Sequence, residues 1–146
     1  MLKASLLKAA TETATPVGPA SDLVETLSGK TWRFAYNDLR IRRVGLKLAG
    51  ENPTFELTVA DRTNGRDLFL PEPVGLDGRS RTKRTNYAVV ANKGSWQGDR
   101  AFVLERRFLG NGEMVYWTFR FEGDHVELRF RNTDGYTTEL RGEPVN

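Results

Sequence analysis

The sequence of 146 residues contains no cysteine and one histidine, His125. The lack of cysteine excludes disulfide scaffolds, iron–sulfur clusters, thiolate zinc sites and cysteine nucleophiles. One histidine excludes multi-histidine metal sites, and it leaves little for a serine–histidine–aspartate triad. We therefore predict no metal site, no cofactor and no catalytic residue, so that this segment by itself is not an enzyme.

Long hydrophobic runs are also missing, since no stretch approaches the roughly 20 apolar residues of a membrane span. Hydrophobic residues make up 38% and charged residues 28%, and 22 basic against 19 acidic side chains give a net charge of +3. The most basic run, residues 79–84 (RSRTKR), holds no aromatic side chain on which nucleic-acid bases would stack. We therefore predict no nucleic acid partner and no membrane insertion, and we interpret the basic run as a solvated loop.

Composition divides the chain into two parts. Residues 1–20 are rich in threonine, proline, glycine and alanine, which is typical of a linker. Residues 21–146 form the predicted domain. It opens with a short predicted helix over residues 21–29, with Ser21 as its cap and Gly29 just past its end.

From Lys30 onward apolar residues recur at every second position, which predicts strands with one buried face. Dipeptides typical of tight turns separate several of these runs, and no helical pattern of ten or more residues interrupts them. We predict an all-β fold, a closed antiparallel β-barrel of about eight strands preceded by the short N-terminal helix, with residues 71–85 as a mobile loop. The apolar runs are 31–36, 43–48, 55–59, 66–70, 86–92, 101–108, 115–121, 126–130 and 136–141, and the turn dipeptides are Asn64-Gly65, Asp77-Gly78, Asn111-Gly112, Gly123-Asp124 and Asp134-Gly135.

The alternation places four chemically versatile side chains in the barrel interior, Trp32, Tyr36, Arg106 and Trp117. These are the candidate binding residues for a small ligand with an anionic group. A barrel of about eight strands either encloses one small ligand or is filled by its own side chains. The predicted inward set is rich in phenylalanine and tryptophan, which favours a filled interior.

Arg106 breaks the apolar pattern of its strand, because it shares the inward positions with Phe102, Leu104 and Phe108. A buried arginine requires a carboxylate partner, a hydrated cavity or a bound anion. The alternative is a β-bulge near Glu105 that turns the side chain outward. The sequence leaves both interpretations open.

Two short motifs of known chemistry occur without the residues they need. Residues 5–8 (SLLK) match the nucleophile motif of serine β-lactamases, but the companion motifs are missing. Residues 28–31 (SGKT) match the end of a phosphate-binding loop, but Val24 stands where that loop requires glycine. We attribute both matches to chance.

Five segments resemble the C-terminal domain of bacterial β-lactamase-type serine hydrolases, the class C and penicillin-binding-protein-like group. The similarity covers about residues 20–142 and consists of turns and strand starts rather than catalytic residues. The segments are 27–34 (LSGKTWRF), 73–79 (PVGLDGR), 91–96 (ANKGSW), 102–105 (FVLE) and 118–128 (TFRFEGDHVEL).

This resemblance implies a lipocalin-like barrel whose partner is an upstream serine-hydrolase catalytic domain, with residues 1–20 as the tail of that domain or as a linker. The barrel would then be a non-catalytic accessory domain that packs on the catalytic domain or modulates assembly and substrate access. Self-association is a further option, and a parent protein of this type would be periplasmic or secreted. The alternative function is a lipocalin-type barrel that binds a small ligand.

Overall fold

The computed structural model of the protein describes residues 24, 27–84, 88–98 and 100–145. Within these residues, ten strands form a single sheet in which neighbouring strands run antiparallel. In chain order they are β1 (Lys30–Phe34), β2 (Ile41–Lys47), β3 (Thr54–Ala60), β4 (Asp67–Pro73), β5 (Arg81–Arg84), β6 (Val89–Gln97), β7 (Ala101–Phe108), β8 (Met114–Glu122), β9 (His125–Asn132) and β10 (Thr137–Pro144).

The strands follow one another as a meander, and the first strand pairs with the last. The order across the sheet is β4-β3-β2-β1-β10-β9-β8-β7-β6-β5. Pairing of β1 with β10, for example Trp32 opposite Pro144, joins the two halves of the chain. The sheet therefore curls into a nearly closed barrel, and its two end strands, β4 and β5, face each other across a gap.

A short segment after β4 bridges this gap through its backbone. The N–H of Gly75 donates to the carbonyl of Asn92 at 3.1 Å, and the N–H of Gly94 donates to the carbonyl of Gly75 at 2.8 Å. Gly75 thereby forms an isolated parallel bridge with Lys93 of β6. A Cβ at position 75 would lie 1.6 Å from the carbonyl oxygen of Arg79, so only glycine fits at this closure.

The all-β class and the antiparallel barrel are confirmed, but the predicted number of about eight strands is wrong. Two of the ten strands enter the predicted loop 71–85, since β4 continues to Pro73 and β5 begins at Arg81. No helix is present as an element among the described residues. Of the predicted helix 21–29, Val24 and Leu27 have helical backbone and Ser28 N–H donates to the Val24 carbonyl, while residues 21–23, 25 and 26 lie outside the described residues.

The five turn dipeptides were predicted correctly as chain reversals or bends, because the glycine in each has a positive φ. These angles run from 64° at Gly123 to 90° at Gly135. Glycine adopts this left-handed region without the steric cost that a Cβ brings. Between β8 and β9 the reversal is as short as possible, since Glu122 pairs directly with His125.

The core fills the inside of the barrel with one face of each strand. Along β8 the buried positions alternate with more exposed ones, which is the pattern of a strand with one apolar face. Large rings dominate, with centroids of neighbouring rings 5.3 to 6.5 Å apart. The largest fully buried side chains are Trp32, Phe55, Phe102 and Phe119. No helix of the described chain is long and apolar enough to cross a bilayer.

Gly94 lies directly against a buried aromatic ring of the core. A Cβ at this position would lie 2.2 Å from Cζ of the fully buried Phe102 ring. We expect Gly94→Ala to lower the free energy of unfolding by about 1–3 kcal/mol, because the ring has no free space into which it can move. Gly110→Ala is the matched control, since Gly110 has no positive φ and no atom within 4 Å. Urea unfolding of both variants measures the difference, and equal stabilities would contradict the crowding at Gly94.

Candidate functional site

Three buried polar side chains meet inside the otherwise apolar barrel. They are Glu72, Asn92 and Arg106, whose exposed fractions are 2%, 0% and 8%. Among the described residues, they are the polar or charged residues in the buried class. Charged groups are almost never buried unless they are paired, so this cluster requires a specific arrangement of partners.

The Arg106 guanidinium and the Glu72 carboxylate form a two-pronged ion pair. Nε of Arg106 donates to Oε1 of Glu72 at 2.9 Å, and Nη2 donates to Oε2 at 2.6 Å. The Asn92 amide supports the same carboxylate, because its Nδ2 donates to Oε1 at 2.9 Å and also to the Pro73 carbonyl at 3.3 Å. Both carboxylate oxygens of Glu72 therefore accept hydrogen bonds, and its charge is balanced by Arg106.

Strand register places these residues on the inner face. Arg106 on β7 lies directly opposite Asn92 on β6, and the pairing of β7 runs without a shift on both sides. The alternative of a β-bulge near Glu105 is therefore wrong. Of the partners that the sequence allowed for Arg106, the structure provides the carboxylate, Glu72.

Aromatic rings surround the guanidinium on its other sides. Cζ of Arg106 lies 5.2 Å from the ring centroid of Phe108, 5.9 Å from that of Phe55 and 6.0 Å from that of Trp117. The negative faces of such rings attract a cation, and they also exclude water from it. The cluster is thus a neutral pair of charges held in an apolar pocket of rings.

Two residues that contact this pair each have a buried polar atom without a hydrogen-bond partner among the described residues. One is the acceptor Oδ1 of Asn92, and the other is the donor Nε1 of Trp117, whose side chain is 3% exposed. A buried polar group without a partner costs about 1–3 kcal/mol, so such atoms are rare unless something else satisfies them. The buried core therefore holds an unpartnered acceptor on Asn92, which contacts Glu72, and an unpartnered donor on Trp117, whose ring centroid lies 6.0 Å from Cζ of Arg106.

The predicted interior residues divide into three cases. Arg106 and Trp117 are brought together as described. Trp32 is buried, at 1% exposed, but its Nε1 donates to the Asp124 carbonyl at 3.2 Å, so its N–H serves the fold. Tyr36 is 97% exposed, and its predicted place in the interior is wrong, because β1 ends at Phe34.

Sequence analysis missed Glu72 and Asn92, although the same period-two pattern points to both. Leu68 and Leu70 on β4 share the parity of Glu72, and the strand continues through Pro71 and Pro73. On β6, Asn92 shares the parity of buried Val90. Continuing each apolar alternation by two residues would have identified both side chains.

A groove of about 270 Å³ leads from the surface toward this cluster at the gap between β4 and β5. Pro71 and Pro73 line it on one side, Arg81 and Lys83 line it on the other, and Glu72 contributes to its lining. Proline has no N–H to donate, which explains why β4 can end the sheet without a further strand. The gap in the barrel and the buried cluster are therefore adjacent.

An exposed ion pair holds the loop beside this groove. Nη1 and Nη2 of Arg81 donate to the two carboxylate oxygens of Asp77 at 3.2 and 3.0 Å, and the backbone N–H of Arg79 donates to the same carboxylate at 3.1 Å. These hydrogen bonds, with that of the Arg81 side chain foremost, lower the pKa of Asp77 from 3.8 to about 2. The bonds thus favour the ionised carboxylate.

We expect Arg81→Gln to raise the pKa of Asp77 from about 2 toward 3.8. The pKa of Asp77 is lower in the folded than in the unfolded protein, so this contact stabilises the folded state at pH values above the unfolded-state pKa. That contribution to stability is lost as the pH falls through about 2. Arg79→Gln is the control, since Arg79 contacts Asp77 through its backbone. NMR titration of the Asp77 carboxyl carbon measures its pKa in both variants. An unchanged midpoint in Arg81→Gln would contradict the statement that Arg81 lowers this pKa.

His125 lies at the β8–β9 hairpin between two glutamates. Its Nε2 is 3.8 Å from Oε2 of Glu122 and 3.7 Å from Oε1 of Glu127. The three side chains offer ligand atoms within 4.8 Å of one another. Arg141 lies 4.0 Å from the Glu127 carboxylate and supplies a competing positive charge. This arrangement alone does not establish a metal site, and the expectation of no metal stays a prediction.

No protein-family model matches the chain, and no curated protein sequence matches it. The solved structures that share its fold include the following three. A secretory abundant heat soluble protein from Ramazzottius varieornatus has a TM-score of 0.55 at 13% identity and covers 70% of both chains. Secretory abundant heat soluble protein 4 from the same organism has a TM-score of 0.51 at 13% identity, covering 71% of this chain and 69% of its own. A REP1-NXSQ fatty acid transporter has a TM-score of 0.56 at 8% identity, covering 84% and 98%.

At these identities the likeness shows the fold alone. The fold is that of barrels named for heat solubility or for transport rather than for a reaction. None of the three proteins is named as a β-lactamase-type hydrolase. The resemblance to an accessory domain of such enzymes therefore stays a prediction.

Proposed function

We propose that the chain is a small-ligand-binding barrel and that its ligand contacts the interior cluster around Arg106. The observation on which this rests is the pair of unpartnered buried atoms, Oδ1 of Asn92 and Nε1 of Trp117. A barrel evolved only for stability has no reason to bury two such atoms beside an ion pair, since apolar side chains would pack there without the desolvation cost. A bound polar group supplies the missing partners.

The position of the groove supports this function. Glu72 belongs both to the cluster and to the lining of the groove between β4 and β5. Backbone hydrogen bonds do not join these two strands, so opening of the barrel wall there would break the bridge of Gly75 to β6 but no strand ladder. A ligand that enters at this gap would meet the cluster first.

The fold of the neighbours gives further support. The fatty acid transporter matches over 84% of this chain, and its name assigns a small amphiphilic cargo to a barrel of this architecture. Barrels commonly use their interior for such ligands. Function does not follow from fold alone, so the site residues remain the principal support.

Titration with Nile red, a neutral fluorescent probe, tests the proposal. We expect saturable binding with one probe per chain. Inward and outward residues alternate on β7, so methyl NMR should show shifts at inward Leu104 and much smaller shifts at Val103 on the opposite face. The absence of saturable binding, or shifts at Val103 without shifts at Leu104, would contradict an interior ligand.

A second candidate function is the accessory domain of a β-lactamase-type serine hydrolase. It is supported by the resemblance of residues 27–34, 73–79, 91–96, 102–105 and 118–128, and it assigns an upstream catalytic domain as the partner. The genomic reading frame tests it directly. An upstream domain in frame with a serine–lysine nucleophile motif would support this function, and a reading frame without one would count against it.

A further inference from the structure

We infer that the interior site selects a neutral, hydroxyl-bearing amphiphile over a carboxylate. This inference rests on the proposed function, because it specifies the ligand of that same site. It concerns which head group matches the cluster formed by Glu72, Asn92, Arg106 and Trp117. One fold neighbour is named as a transporter of fatty acids, which carry a carboxylate, so the two alternatives are separable by experiment.

The charge of Arg106 is already balanced within the protein. Two hydrogen bonds of 2.9 and 2.6 Å join its guanidinium to the two oxygens of Glu72. A ligand carboxylate would bring a second negative charge close to Glu72 in a site where both charged side chains are buried among aromatic rings. Like charges at short range in a low-dielectric site repel strongly, so the cluster disfavours an anionic head group.

The two unpartnered atoms specify the chemistry of the head group more closely. Nε1 of Trp117 is a donor and requires an acceptor, whereas Oδ1 of Asn92 is an acceptor and requires a donor. An ionised carboxylate offers acceptors only, and it would face Oδ1 of Asn92 with a lone pair. A hydroxyl group both donates and accepts, so it can satisfy either atom.

Apolar surroundings define the remainder of the ligand. The residues next to the cluster on the inner face include Phe55, Leu104 and Val115, all of them in the buried core. Leu104 lies directly opposite Trp117, and Val115 lies directly opposite Arg106. These side chains fill the core beside the cluster, so a ligand tail that takes their place has to be as apolar as they are, like an alkyl chain or a ring with few polar atoms. The ligand class is therefore a long-chain or alicyclic alcohol.

Displacement of Nile red by three ligands of equal chain length tests the inference. The ligands are decanol, methyl decanoate and decanoate, compared at about pH 8, where a simple carboxylic acid is ionised. We expect decanol to displace the probe with at least about tenfold higher affinity than decanoate, because of the repulsion from Glu72. The methyl ester, which accepts but cannot donate, should bind between them.

Two variants connect this order of affinities to named atoms. Glu72→Gln leaves Arg106 without its counter-charge, so decanoate should gain at least about tenfold relative to decanol. Asn92→Leu removes the unpartnered acceptor, so decanol should lose its advantage of about threefold to tenfold over the ester. Glu139→Gln is the control, because it makes the same change in the exposed pair with Arg129 on the outer face and should leave all three affinities unchanged.

Each result decides one question. The order alcohol, ester, acid with the inversion in Glu72→Gln supports the inference. A wild-type preference for decanoate overturns it and leaves the proposed function standing. Equal displacement by all three also overturns it, and indicates that buried water satisfies the two atoms. If Nile red itself does not bind saturably, the proposed function fails. Should Glu72→Gln not fold, as its circular dichroism melt would show, Asn92→Leu and the wild-type order still decide the inference.

Discussion

Arg106→Leu is expected to lower the free energy of unfolding by about 3–5 kcal/mol, because it leaves the Glu72 carboxylate buried and without its cation. Glu72 is 2% exposed, and Arg106 supplies hydrogen bonds to both of its oxygens. The amide of Asn92 remains on Oε1, but a single neutral donor does not replace a guanidinium. Urea unfolding followed by tryptophan fluorescence measures the loss.

Two further variants distinguish the effect of losing the ion pair from the effect of losing the packing of the Arg106 side chain. Arg106→Leu combined with Glu72→Leu should recover most of the lost stability, since apolar replacement of a whole buried pair is often neutral. Arg129→Leu removes one partner of an exposed pair, whose side chains are 66% and 67% exposed, and should cost less than about 1 kcal/mol. A double variant as unstable as Arg106→Leu would show that packing, not charge, explains the loss.

The barrel class could be predicted because most strands bury one face and expose the other. On β8 and β9 the hydrophobic residues at alternate positions indicated both the strands and their inner faces, and the short reversal at Gly123-Asp124 indicated the hairpin. The physical reason is that a sheet around a single core imposes a period of two. The strands whose apolar residues alternate in this way were therefore predicted from the sequence.

Strands without an apolar face could not be found by that rule. All four residues of β5 are exposed, and its sequence is RTKR. Its position is determined by antiparallel pairing with Val89–Asn92 of β6. The end of β4 was missed for a related reason, because Pro71 and Pro73 usually interrupt strands and are tolerated here at a sheet edge.

The candidate site was predicted in part, and the difference lies in the range of the interactions. The inward direction of Arg106 and Trp117 follows from local parity, and the structure places both side chains inside. The partner of Arg106 is 34 residues away in the sequence, and the alternation on β4 gives the inward direction of Glu72 but not its pairing with Arg106. Tyr36 shows the opposite error, since the alternation continues beyond Phe34 although the strand pairing of β1 ends there.

Closure of the barrel and formation of the polar cluster involve the same residue. The carbonyl of Asn92 accepts the N–H of Gly75, which bridges the gap after β4, while its side-chain amide donates to Glu72 at the end of β4. Opening of the gap would therefore loosen the support of the Glu72 carboxylate. The entry that we propose for the ligand is thus coupled to the cluster that would bind it.

Trp117→Ala is expected to lower the free energy of unfolding by about 3–5 kcal/mol, because its ring is packed on several sides by other rings. The ring centroids of Phe55, Phe130 and Phe119 lie 5.3, 5.8 and 6.4 Å from that of Trp117. Neighbours as rigid as these cannot refill the space that the indole leaves. The ligand site proposed above therefore borders only the N–H edge of the indole, and not its faces.

Trp117→Phe provides the comparison that tests this geometry. It keeps an aromatic ring among the same neighbours and removes the unpartnered Nε1, so it should cost far less stability than Trp117→Ala. Tyr116→Ala, on the outer face of the same strand, controls for the loss of an aromatic side chain that stacks on Arg131 at 4.7 Å. Urea unfolding of the three variants gives the order directly. A cost for Trp117→Ala below about 1 kcal/mol would show that the indole faces border open space, since a packed ring of this size cannot be removed so cheaply.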